Sequence, residues 1–147
     1  MELEIIVPVL VCVALYIIIR KYYKNIYLRS AEVKQLMQEL NIKPNHYLQT
    51  KRFNLLLDTE KQILVKLNNN EGTKTVYNIE NAKACKKKDN LSDGIVTVSS
   101  LIIQYNEAED TVLTFFDKQV DDPFDKRWLL IQIDDWKKLI DKTISGS

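Results

Sequence analysis

The chain has one histidine, two cysteines, three glycines and three prolines among its 147 residues, and each scarcity excludes something. A serine or cysteine nucleophile needs a base beside it. The only histidine, His46, follows Pro44 in a segment that reads as linker. Three glycines cannot build a phosphate loop or a dinucleotide fingerprint, and no G-x-S-x-G occurs. Zinc would ask for a cluster of cysteine and histidine that the sequence does not contain. No catalytic residue, metal or cofactor is therefore expected. Cys12 and Cys85 are far apart and lie in segments of different character, so they are not expected to pair. A small domain without disulfides suits a reducing compartment. Few glycines and prolines, with 46% hydrophobic and 28% charged residues, also argue against disorder.

Charge of one sign is missing too. The net charge is +1. Residues 1–29 carry four basic and two acidic groups, which leaves 17 basic against 18 acidic in the rest. A domain so close to neutral lacks the electrostatic footprint of a nucleic-acid binder.

What is present begins with residues 5–19, IIVPVLVCVALYIII, which carry no charge. A hydrocarbon core of about 30 Å asks for about 20 helical residues. Leu3 extends one end, Tyr22 and Tyr23 suit the aromatic belt at the other, and Arg20 and Lys21 can reach the headgroups. Residues 1–23 are therefore expected to be a single-pass membrane anchor. Its basic flank places the C-terminal side in the cytoplasm and the N-terminus outside. A secretory signal would want a basic start and a small-residue cleavage site, and a lipoprotein signal a small residue before Cys12. Neither is present, since Val11 precedes that cysteine.

Residues 24–44 are expected to form a juxtamembrane helix and linker. Ile26, Ser30, Val33, Met37 and Leu40 share one stripe, and Asn41 and Pro44 stop the helix. The stripe could cover the following domain or pair with a second copy.

From Phe53 the period changes to alternation. FNLLLD (53–58) and QILVKL (62–67) form a hairpin with an Asp-initiated turn. NNNEGT (68–73) is a loop, KTVYNI (74–79) a third strand, AKACKKK (82–88) a fourth, and KDNLSDG (88–94) a loop. GIVTVSSLIIQY (94–105) contains one long strand or two short ones, and TVLTFFD (111–117) closes a hairpin with it across NEAED. Asp122-Pro123-Phe124-Asp125 then starts a helix. Leu129, Ile133, Trp136, Ile140 and Ile144 make its apolar stripe, which Trp128 and Ile131 are expected to widen. Residues 45–147 are thus expected to be one α+β domain. Six or so antiparallel strands form a sheet or partly open barrel, closed by a C-terminal amphipathic helix.

The order FNLLLD, QILVKL, YNIENAKAC, and then SLIIQYNEAEDTVLTFFD with a tryptophan-bearing helix, resembles bacterial pleckstrin-homology-like domains over residues 53–143. The chain departs from many of them in lacking a glycine-rich insertion around residues 89–97. The resemblance implies a module without enzymatic chemistry, of a kind often membrane-anchored and prophage- or defence-associated, that binds or assembles.

Two surfaces stand out as candidates. Lys83, Lys86, Lys87 and Lys88 could touch anionic lipid at about 1 kcal/mol per residue, or simply solvate a strand edge. Val33, Met37, Phe124 and Trp128 are candidates for an interaction surface with a protein partner or a second copy. The acidic run Asp117, Asp121, Asp122, Asp125 lacks the EF-hand order and reads as helix capping and solvated loop. The expected function is a membrane-anchored interaction or assembly module at the inner face of the membrane. The alternatives are an anionic-lipid binder using the lysines, or a pilin-like subunit with an exported head. The pilin reading is disfavoured because no Gly-Phe processing site precedes the apolar run.

Overall fold

A computed structural model describes residues 2–29 and 31–146, without the side chains of 2–4, 22–29 and 32. The chain divides into two compact units, residues 1–43 and 44–147.

The first unit is helical: α1 spans Glu2–Arg29 and α2 spans Ala31–Leu40. Pro8 lies within α1, in its early turns, where few backbone bonds are lost. In α2, Asn41 ends the helix in the left-handed conformation at φ 49°. Its N–H donates to the carbonyl of Gln38 at 3.1 Å, and the N–H of Ile42 donates to that of Met37 at 3.0 Å. That pair of bonds is the Schellman termination, with asparagine in glycine's place. Ile26 and Ser30 of the expected stripe, and the interfacial Tyr22 and Tyr23, lie outside the described side chains. Among the described residues no helix is long and apolar enough to cross a membrane.

The second unit contains two antiparallel sheets and a C-terminal helix. In the first sheet, β1 (His46–Gln49), β2 (Phe53–Asp58), β3 (Ile63–Asn68) and β4 (Lys74–Asn78) follow one another in sequence order. The second has β5 (Ala82–Ser92), β6 (Ile95–Tyr105) and β7 (Thr111–Asp117), again in order. Among the described residues there are seven strands rather than six. The additional one is β1, in what reads as linker, with His46 across from Leu57.

The β2–β3 turn forms as its chemistry demands. The Asp58 carboxylate accepts from the N–H groups of Glu60 and Lys61 at 3.1 and 3.0 Å, an Asx turn. The β5–β6 connection corrects the sequence reading. Residues 88–94 are not a loop: β5 runs on to Ser92, and the reversal takes only Asp93 and Gly94, at φ 51° and 77°. Two successive positive φ values make the primed hairpin turn that Asp-Gly favours. Residues 95–105 are one strand, bulged against β7 between Ser99 and Ser100.

A single 3₁₀ turn, Pro123–Asp125, precedes α3, Lys126–Ile144. The Asp122 carboxylate accepts from the Phe124 N–H at 2.9 Å and so caps it. Leu129, Ile133, Trp136 and Ile140 are buried. The last three join Leu55, Leu57, Leu64, Leu101, Ile103, Leu113 and Phe115 in one core between the sheets and the helix. Trp128 and Ile131 do not widen this stripe. They are 44% and 50% exposed, because at about 100° per residue Ile131 falls opposite Ile140.

Every residue of β2 is buried, so both faces of that strand are covered and the apolar run is not alternating. Leu55 and Leu57 point into the core. Leu56, on the other face, pairs with Val65 on β3, and both are fully buried.

Trp136 is 3% exposed at the centre of the helix stripe. Trp136→Ala is expected to cost about 3–5 kcal/mol, out of the roughly 5–15 kcal/mol that a domain of this size commands. Chemical denaturation of the full chain measures it, and an unchanged midpoint would place Trp136 outside the core.

Candidate functional site

The lysines that are neighbours in sequence are divided by the sheet. Along β5, Cys85 faces the core, and alternation sends Lys87 to the same side as Cys85. There the Lys87 ammonium bonds the Asp134 carboxylate of α3 at 3.0 Å and lies 3.7 Å from that of Asp89. Lys86 and Lys88 stand on the opposite face, across from Ile102 and Ser100 of β6. Lys83 sits at a register irregularity between Ala82 and Ala84 and is exposed. All four lysines are exposed, but Lys86 and Lys88 stand on the outer face, while Lys87 ties the helix to the sheet.

The four candidates for an interaction surface also separate. Val33 is 5% exposed and Met37 half-buried, whereas Phe124 is 94% and Trp128 44% exposed. Phe124 and Trp128 are thus the two offered to solvent. Trp128 shares the outward face of α3 with Ile131, which the sequence reading assigned to the core stripe, and Phe124 lies in the 3₁₀ turn before the helix.

Several charged side chains tie the second unit together. Arg52 grips Asp121 through two bonds, Nε to Oδ1 at 2.6 Å and Nη2 to Oδ2 at 2.8 Å. Asp121 also accepts from the N–H of Asp117 at 2.8 Å. This joins the bend before β2 to the loop after β7, and a bidentate arginine–carboxylate fork holds both in one geometry. Lys51 pairs with Asp125 at 2.9 Å. Lys66 stands across from Leu55, and burial holds its ammonium below the usual lysine range, with the Arg52 charge adding to the effect.

Open clefts line the surface without an obvious chemistry. One of about 850 Å³ lies between β4 and the β6–β7 turn and is lined by Tyr77, Tyr105, Glu80, Glu107 and Glu109. Another, of about 590 Å³, is lined by His46, Thr59, Gln62, Lys142 and Thr143. His46 makes no side-chain hydrogen bond among the described residues. Among those residues, no group of three His, Cys, Asp or Glu could hold a metal ion. No protein-family model, curated protein or solved structure matches the chain.

Cys85 is the one thiol in the second unit, and it faces the core. Burial pushes its pKa up to about 11, Asp141 adds to the rise, and Lys137 opposes it. The thiolate is the reactive form, so Cys85 is expected to resist iodoacetamide at pH 8.5 in the folded chain. It should react promptly once denaturant is added. Alkylation in the native protein at the rate of a free thiol would show the site to be open.

Proposed function

We propose that the chain is a membrane-anchored, non-catalytic interaction module. In this reading α1 holds it in the bilayer, and the β domain associates with a protein partner or a second copy on the cytoplasmic side. The observation that carries the reading is α1 itself. From Ile5 to Ile19 its large apolar side chains point in every direction, and all are 50–69% exposed. A helix apolar on all sides is covered by protein or by lipid. The described side chains, residues 5–21, rise only about 25 Å, and the sequence of residues 3–23 extends this to about 31 Å. Arg20 and Lys21 at one end fit the cytoplasmic flank.

The arrangement of the second unit supports the pleckstrin-homology-like reading of residues 53–143. Over those residues, strands β2 to β7 form antiparallel meanders and a C-terminal helix fills the core, which is the element order that the resemblance implies. That resemblance points to binding or assembly in a prophage- or defence-associated setting.

Val13→Arg with Ile17→Arg tests the anchor. Each charge near mid-span costs about 2.5–3.5 kcal/mol on insertion scales. The double variant is expected in the soluble fraction, and the unaltered chain in membranes that survive a carbonate wash. A double variant that still pellets after that wash would refute the anchor. Protease added to intact cells separates this reading from a pilin-like one, since an exported head would be digested and a cytoplasmic domain spared.

A further inference from the structure

The outward face of α3 carries more than the exposed Trp128 and Ile131. At about 100° per residue, positions 127, 128, 131, 135 and 138 of α3 fall on the side opposite Leu129, Ile133, Trp136 and Ile140, and Phe124 stands in the 3₁₀ turn just before the helix. All six are exposed: Phe124, Arg127, Trp128, Ile131, Asp135 and Lys138. Asp134, beside them, is occupied by Lys87. Arg127, Asp135 and Lys138 make no ion pair among the described residues, so their charges are available to another molecule.

Their order has a symmetry. Arg127 lies four residues before Ile131 and Asp135 four after it. Phe124 lies seven before and Lys138 seven after. Two copies of α3 crossing antiparallel at Ile131 would set Arg127 of each against Asp135 of the other, and would bring the 3₁₀ turn that holds Phe124 of each toward Lys138 of the other. The first is an opposite-charge pair, and the second brings an ammonium toward an aromatic ring. In a parallel pair, Arg127 would face arginine and Asp135 aspartate, which repel. Shallow helix crossings of about 20° keep side chains in reach over two turns on each side of the crossing point.

We infer that this face of α3 is a homodimer surface, formed by a second copy of the chain running antiparallel and centred on Ile131. The inference rests on the reading of the protein as a membrane-held association module, and names the partner. The apolar part, Phe124, Trp128 and Ile131, offers about 400 Å² per copy, below the roughly 800 Å² per partner of a stable interface. The pair is therefore weak in dilute solution and forms where both copies are confined to one membrane, which raises their effective concentration.

The test uses the full chain in native membranes with Cys12→Ser. Under mild oxidant, Ile131→Cys should form disulfide-linked dimers. Arg127→Cys and Asp135→Cys should each crosslink poorly alone and well when the two variants are co-expressed. Leu91→Cys, 63% exposed on the β5–β6 hairpin, serves as the collision control. With fluorescence transfer as readout, Arg127→Asp and Asp135→Arg should each weaken dimerisation about tenfold, and the double reversal should restore it to within about twofold. Melting temperature checks that these surface variants stay folded. Equal crosslinking at Ile131→Cys and Leu91→Cys, or a double reversal no better than the single ones, overturns the proposal. So does Ile131→Cys linked only to a different protein. A chain that stays with the membrane yet fails these tests loses the dimer and keeps the anchor. One that crosslinks in this register but is recovered from the soluble fraction keeps the dimer and loses the anchor.

Discussion

The inward stripe of α3 is the surface that the two sheets share. Each sheet is a meander whose strands pair only with sequence neighbours, so each can form its ladder without the other. Neither can bury its inner face alone. Ile133, Trp136 and Ile140 join Leu55, Leu57 and Leu64 of one sheet and Leu101, Ile103 and Leu113 of the other in one buried cluster. Polar contacts fix how the helix sits. Lys87 of β5 holds Asp134 of α3, and the Gln62 side-chain amide donates to the Thr143 carbonyl at 2.8 Å. Arg52 holds the loop that delivers the helix. These contacts set position, while the apolar stripe supplies the free energy.

Where hydrophobic period and turn chemistry agreed, the fold was readable. The 53–58 and 62–67 hairpin, the 111–117 strand and the helix after Asp122 all follow from alternation or a 3.6-residue stripe beside a recognisable start signal. The sequence pattern ends β5 at Lys88 because Asp89, Asn90 and Ser92, which follow, are polar. Its ladder to β6 holds it, and lysines on such an edge discourage further pairing. The Asp93–Gly94 turn is visible in the sequence, but its polar surroundings read as a longer loop. Strand β1 is four residues long and has no alternation of its own, so its partner β2 defines it.

The surface was less legible than the core, for geometric reasons. Four lysines close in sequence look like one patch, but a strand sends neighbours to opposite faces, and Lys87 is spent on Asp134. Trp128 and Ile131 look like a wider stripe until their angles are taken from Ile140 rather than from the nearest apolar neighbour. Val33 and Phe124 are equally apolar in a list, yet one is 5% and the other 94% exposed. Exposure depends on what tertiary structure covers, which spacing alone does not say.

The order of the elements also sets an order of assembly. All strand pairs join sequence neighbours, and such local contacts close quickly. The contacts that complete the domain bridge residues 81 apart between Gln62 and Thr143, and 69 apart between Arg52 and Asp121. During synthesis both meanders can therefore emerge and zip while their apolar faces still lack a lid. Until α3 leaves the ribosome the nascent domain is a pair of sticky half-shells, and that interval is when chaperone capture or aggregation would act on it.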